Sequence, residues 1–79
     1  DKLGYVYLVD SGTGRIICLD EEYNLRLVIK DFTNHMGVPD SFLEPSGVYV
    51  SDTEILVADT GKSRIVIFDK VGNFKLIVP

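Results

Sequence analysis

The sequence predicts an all-β fold of repeated antiparallel meanders, and three observations carry that prediction. Residues 4–30 and 53–79 align without a gap at a constant offset of 49. Asp10, Gly12, Arg15, Ile16, Asp20, Asn24 and Leu27 recur as Asp59, Gly61, Arg64, Ile65, Asp69, Asn73 and Leu76. A period of about 20–50 residues marks a repeat architecture. Short runs rich in β-branched and aromatic residues alternate with clusters of Gly, Asp, Asn, Ser and Pro, which is the strand-and-turn signature. No segment sustains the apolar period of a helix.

Strands are expected at Tyr5–Val9, Arg15–Leu19, Leu25–Ile29, Gly47–Val50, Glu54–Ala58, Arg64–Phe68 and Phe74–Val78. Arg15–Leu19 and Arg64–Phe68 are nearly continuous apolar runs, so both of their faces should be covered. Asp10-Ser11-Gly12-Thr13-Gly14 and Asp59-Thr60-Gly61-Lys62-Ser63 each join two strands, with an Asp at the strand end and a Gly able to take positive φ. The turns at Asp20–Asn24 and Asp69–Asn73 again pair a leading Asp with a trailing Asn. Each copy therefore reads as a three-strand meander. The second has a further strand in front, opened by Glu44-Pro45-Ser46-Gly47. Residues 31–44 break the pattern. They read as a polar connection too long for a hairpin turn.

Seventy-nine residues allow one small domain. A domain of this size buries only about 60 % of the surface its unfolded chain exposes. The usual staples are missing: Cys18 is the single cysteine, and no Cys/His cluster offers a structural metal. Cys18 aligns with Ile67 and reads as a small buried hydrophobe. The net charge of −4, from 12 acidic and 8 basic residues, disfavours a nucleic-acid face, which needs clustered Lys and Arg. No apolar run approaches the ~20 residues of a bilayer span. The chain opens on Asp1 beside a strand and reads as a piece of a longer polypeptide, so the lack of a targeting signal in it says nothing about compartment; the expectation leans to a secreted or cell-surface setting.

The string Pro45-Ser46-Gly47-Val48-Tyr49-Val50, then Ile55-Leu56-Val57-Ala58-Asp59-Thr60-Gly61-Lys62-Ser63-Arg64-Ile65, then Phe68-Asp69 and Gly72-Asn73-Phe74, resembles the NHL repeat. The first copy matches from Tyr7-Leu8-Val9-Asp10-Ser11-Gly12 through Arg15-Ile16 and Leu19-Asp20. The Asn usual in that family's turn is replaced by Thr13 or Gly14 and by Lys62 or Ser63. The resemblance implies a β-propeller of four-stranded antiparallel blades, with a six-bladed ring as the expectation. Residues 1–30 would be three strands of one blade, 31–44 an inter-blade loop, and 45–79 one complete blade. That is about 1.75 blades, an incomplete ring whose remaining blades come from a longer chain or from self-assembly.

Asp10 with Arg15, and Asp59 with Arg64, read as structural turn residues: the carboxylate accepts turn N–H groups and the Arg braces it. Their recurrence favours structure, since a site needs one instance. Asn34, His35, Asp40 and Glu44 are the candidate ligand-binding residues, because the resemblance places 31–44 and the two Asp-x-Gly turns on one loop-rich face. No catalytic residue, metal ligand set or cofactor motif is found. The function expected is a non-catalytic binding or scaffold module that recognises a protein, peptide or glycan. The alternative is part of a metal-dependent propeller enzyme, lactonase- or lyase-like, in which Glu44 and Asp40 would be oxygen ligands.

Overall fold

A computed structural model describes residues 2–79; Asp1, the first residue of the expected 1–30 unit, lies outside the described residues. Among the described residues nine strands run β1 (Val6–Asp10), β2 (Arg15–Leu19), β3 (Leu25–Ile29), β4 (Asp31–Thr33), β5 (Pro39–Ser41), β6 (Gly47–Val50), β7 (Glu54–Asp59), β8 (Arg64–Asp69) and β9 (Phe74–Val78). A 3-10 turn, Thr60–Lys62, interrupts them between β7 and β8. The chain is all-β. Its strands form a three-stranded sheet β1-β2-β3, a two-stranded hairpin β4-β5 and a four-stranded sheet β6-β7-β8-β9, all antiparallel. No sheet closes on itself.

The seven strands expected from the pattern are all present, within one residue at their ends. The repeat extends to detail that periodicity does not reveal. A register shift falls between Cys18 and Leu19 in one sheet and between Ile67 and Phe68, 49 residues on, in the other. The Asp/Asn turns are also built alike. Asp20 Oδ1 accepts the N–H groups of Glu22 and Asn24, both at 2.9 Å, while the Asn24 amide reaches Asp20 Oδ2. Asp69 does the same for Val71 and Asn73. These amides favour the charged carboxylate, and both acids titrate below their ordinary value, led by the backbone N–H of Asn24 and of Asn73 respectively.

Alternation along each strand sends one row inward. Tyr7, Val9, Ile16, Cys18, Leu27 and Ile29 form the inner face of the first sheet, and Val48, Ile55, Val57, Val66, Phe68, Phe74 and Ile77 that of the second. The two faces share one core. Cys18 is buried in its sheet, whereas its counterpart Ile67 is only partly buried, on the face of the second sheet away from the core. The opposite faces are apolar too. Leu8, Leu25 and Val28 stand exposed on one, and Tyr49, Ile65, Leu76 and Val78 on the other.

Residues 31–44 are not the polar loop their composition suggests. β4 and β5 pair Asp31 with Ser41, Phe32 with Asp40 and Thr33 with Pro39. Phe32 and Phe42 leave this hairpin and enter the core, with ring centroids 5.4 Å apart. Phe32 meets Phe68 edge-on at 5.3 Å and stacks on Phe74 at 5.5 Å. The hairpin is thus bolted to the second sheet by aromatic contact, each pair adding about 0.5–1.5 kcal/mol beyond its buried area.

Candidate functional site

One end of the molecule gathers the hairpin and the two Asp-x-Gly turns. Gly61 N–H donates to Leu43 C=O at 2.7 Å, Ser11 Oγ donates to Pro45 C=O at 2.6 Å, and Lys62 Nζ bonds both Asp40 Oδ1 and Ser41 C=O. The hairpin tip stands above them. Asn34 closes it: its N–H donates to Val38 C=O, and its Oδ1 accepts from the N–H groups of Met36 and Val38. Gly37 takes φ +74°, which an L side chain rarely adopts.

The charged centre of this end is Arg64. Its guanidinium grips Asp40 with two bonds, Nη1 to Oδ2 at 2.9 Å and Nη2 to Oδ1 at 3.0 Å. Nη2 also donates to Ser41 C=O at 3.0 Å, and Nε donates to Asp59 Oδ2 at 2.7 Å. Asp59 Oδ1 accepts the N–H of Leu43 at 2.7 Å. The Asp59 side chain is 0 % exposed and that of Arg64 13 %. Such a pair is tolerable inside a protein only because its lone pairs and protons are all engaged. Among the described residues no buried side-chain polar atom lacks a partner. Arg64 holds the Asp40 carboxyl far below the usual carboxylate range against the opposing effect of burial, with Lys62 and Asn34 adding to it.

This fixes the sign of a pH effect. A carboxylate depressed in the folded state adds stability at every pH above its unfolded value, about 3.9, and loses it as pH falls towards the folded value. Urea unfolding midpoints should fall between pH 7 and about pH 3. In Asp40→Asn the midpoint at pH 7 should be lower and the drop smaller; Asp10, Asp20 and Asp69, depressed likewise, supply the remainder. An unchanged drop would remove Asp40 from this role.

The approach of the linker also explains a glycine. A Cβ placed on Gly61 would collide with Leu43 C=O, a backbone atom that cannot swing aside, whereas on Gly12 it would meet only Asp10 Oδ1 at 3.9 Å. Gly61→Ala should therefore cost about 1–3 kcal/mol in chemical denaturation. Gly12→Ala should be nearly silent. Equal effects would refute the difference in packing.

The four candidate residues separate by role. Asn34 and Asp40 are tied inward, joined by an Asn34 Nδ2 to Asp40 Oδ2 bond at 3.3 Å. His35 and Glu44 are exposed, Glu44 with φ +51°. Met36 at 74 % and Val38 at 49 % exposure flank the tip and were not singled out by the sequence, because an apolar residue in a presumed polar loop carries no distinguishing spacing. Arg15 Nη2 meets Asp10 Oδ2 at 2.9 Å, in parallel with Arg64 and Asp59, but Asp59 makes no side-chain bond to its own turn and accepts the linker's Leu43 N–H instead. No group of three or more His, Cys, Asp or Glu is placed to hold a metal among the described residues.

The NHL repeat family matches residues 42–68, the stretch from the end of the hairpin through β8. The chain carries an NHL repeat. Protein brain tumor of Drosophila melanogaster is 60 % identical over 35 residues, 43 % of this chain. The match spans about 3 % of that relative's length. No solved structure gives a significant match. The NHL repeat takes in the buried Asp59–Arg64 pair and Gly61, so the turn that anchors the linker belongs to the repeat itself. The open antiparallel sheets are those expected of NHL propeller blades. No helix among the described residues is long and apolar enough to cross a membrane.

Proposed function

We propose that the chain is part of a non-catalytic protein-binding repeat module, and that the hairpin tip His35–Val38 is the surface it offers. The observation that carries this reading is the contrast within residues 31–44. Phe32, Phe42, Asn34 and Asp40 lock the hairpin from below, while Met36, Val38 and His35 project from a rigid support. Presenting apolar side chains on a pre-ordered element lowers the ordering cost of association, which favours a recognition role. Met is adaptable and frequent at protein-contact surfaces. Two exposed apolar side chains at the tip fit a protein or peptide better than a glycan. Glu44, exposed beside the linker, adds a charged rim.

Site-specific photo-crosslinking tests the reading. A photoreactive residue at position 36 should give discrete protein adducts in cells, and one at position 23, exposed in the turn between β2 and β3, should not. The adducts should vanish with Val38→Asp. Adducts from position 23 alone, or from neither position, would reject the tip as the binding surface.

A further inference from the structure

The chain holds two sulfur atoms, and the fold treats them oppositely. Met36 is the single methionine and Cys18 the single cysteine. Cys18 is 1 % exposed within β2, whereas Met36 is 74 % exposed at the hairpin tip. Oxidation of sulfur by peroxide follows accessibility and, for a thiol, ionisation as well. Met36 is also held in place. Its N–H donates to Asn34 Oδ1 at 3.0 Å, and Gly37 beside it leaves open space where a side chain would otherwise stand. The residues that anchor the hairpin, Phe32, Asp40 and Phe42, all lie outside the tip. A change confined to the Met36 side chain therefore alters the surface without touching what holds the fold.

We propose that Met36 is a reversible oxidation site that takes hydrogen peroxide as its oxidant, and that its sulfoxide releases the protein bound at the tip. This rests on the reading of His35–Val38 as the binding surface. In the forward step a lone pair on Met36 Sδ attacks one peroxide oxygen. The S–O bond forms, the O–O bond breaks, and the departing hydroxide takes the proton of the transferred oxygen and leaves as water. Sulfur loses two electrons and peroxide gains them. The return step uses two thiols of a reductase, which become a disulfide while the oxygen leaves as water. The sulfoxide turns a flexible apolar side chain into a polar one. Seated against a partner, its oxygen is stripped of water with no donor built to receive it, and binding weakens. Val38 alone then carries the apolar contact of the tip.

Peroxide treatment ahead of cross-linking tests this. The purified chain, with a photoreactive residue at position 35, is exposed to hydrogen peroxide, cleared of oxidant with catalase and then irradiated in cell lysate, so that only the chain is oxidised. The peptide containing Met36 should gain the mass of one oxygen, while Cys18 stays fully alkylatable after unfolding and the urea midpoint does not move. Adduct yield should fall about tenfold or more, and return after treatment with a thiol-dependent methionine sulfoxide reductase. Met36→Leu, close to the parent in volume, should give adducts before and after peroxide alike. Three outcomes would each overturn the proposal and leave the tip reading standing: peroxide reacting at Cys18 ahead of Met36, adducts undiminished by the sulfoxide, or Met36→Leu adducts lost to peroxide as readily as the parent's. Absence of adducts from the untreated chain would overturn both.

Discussion

Replacing Arg64 with Ala should leave most of the chain unfolded, whereas replacing Arg15 with Ala should barely move the unfolding midpoint. The two arginines occupy equivalent positions and each braces a turn Asp, yet only Arg64 sits against a fully buried carboxylate. Removing it strands Asp59 without a counter-charge and leaves Asp40 with Lys62 as its counter-charge, beside the Asn34 amide. Breaking a buried pair from one side costs about 3–5 kcal/mol, a large part of the total for so short a domain. The exposed Arg15–Asp10 pair is screened by solvent. Urea titration followed by circular dichroism measures both. A second variant separates lost charge from lost volume: Asp59→Asn with Arg64→Met keeps the acceptor for Leu43 N–H and removes both charges, and should recover much of the loss. Comparable midpoints for Arg64→Ala and Arg15→Ala would refute the account.

The second large effect belongs to Phe32. Its ring touches Phe42, Phe68 and Phe74 and lies under the Arg64 guanidinium, 5.8 Å from ring centroid to Cζ. Phe32→Ala removes the piece that fills the space between hairpin and sheet, at about 3–5 kcal/mol. Phe32→Leu should cost much less. If the alanine variant unfolds at the same urea concentration as the parent, the hairpin is not anchored by this ring. The same contacts limit loop grafting: only His35–Val38 lies beyond the anchoring residues, so replacing a longer stretch removes Asp40 and Phe42 and with them the fold.

The seven long strands were legible in the sequence because each carries its own local signal: a β-branched run closed by an Asp or Gly turn, seen twice. The bracing of Asp10 by Arg15 and of Asp59 by Arg64 was legible for the same reason, being a five-residue contact. The hairpin was not. Its strands are three residues each, too short for alternation to register, and Phe32 and Phe42 look like isolated aromatics until the chain folds back. Asp40 was noticed as a loop carboxylate, but its attachment to Arg64 spans 24 residues, and no local pattern encodes a contact of that range. His35 and Glu44 stand at the surface.

The ladder hydrogen bonds of each sheet are made within that sheet, and among the described residues no ladder passes from β1–β3 to β6–β9. What holds the two together is side-chain packing and the hairpin between them. Such a chain has the energetics of a string of coupled units, in which stability is a sum of unit terms and nearest-neighbour terms. One sheet can open without breaking a strand hydrogen bond of the other, so cooperativity is set by the connector rather than by the strands. Residues 31–44 therefore govern whether neighbouring repeats melt as one body or singly, and a substitution there changes the sharpness of unfolding as well as its midpoint.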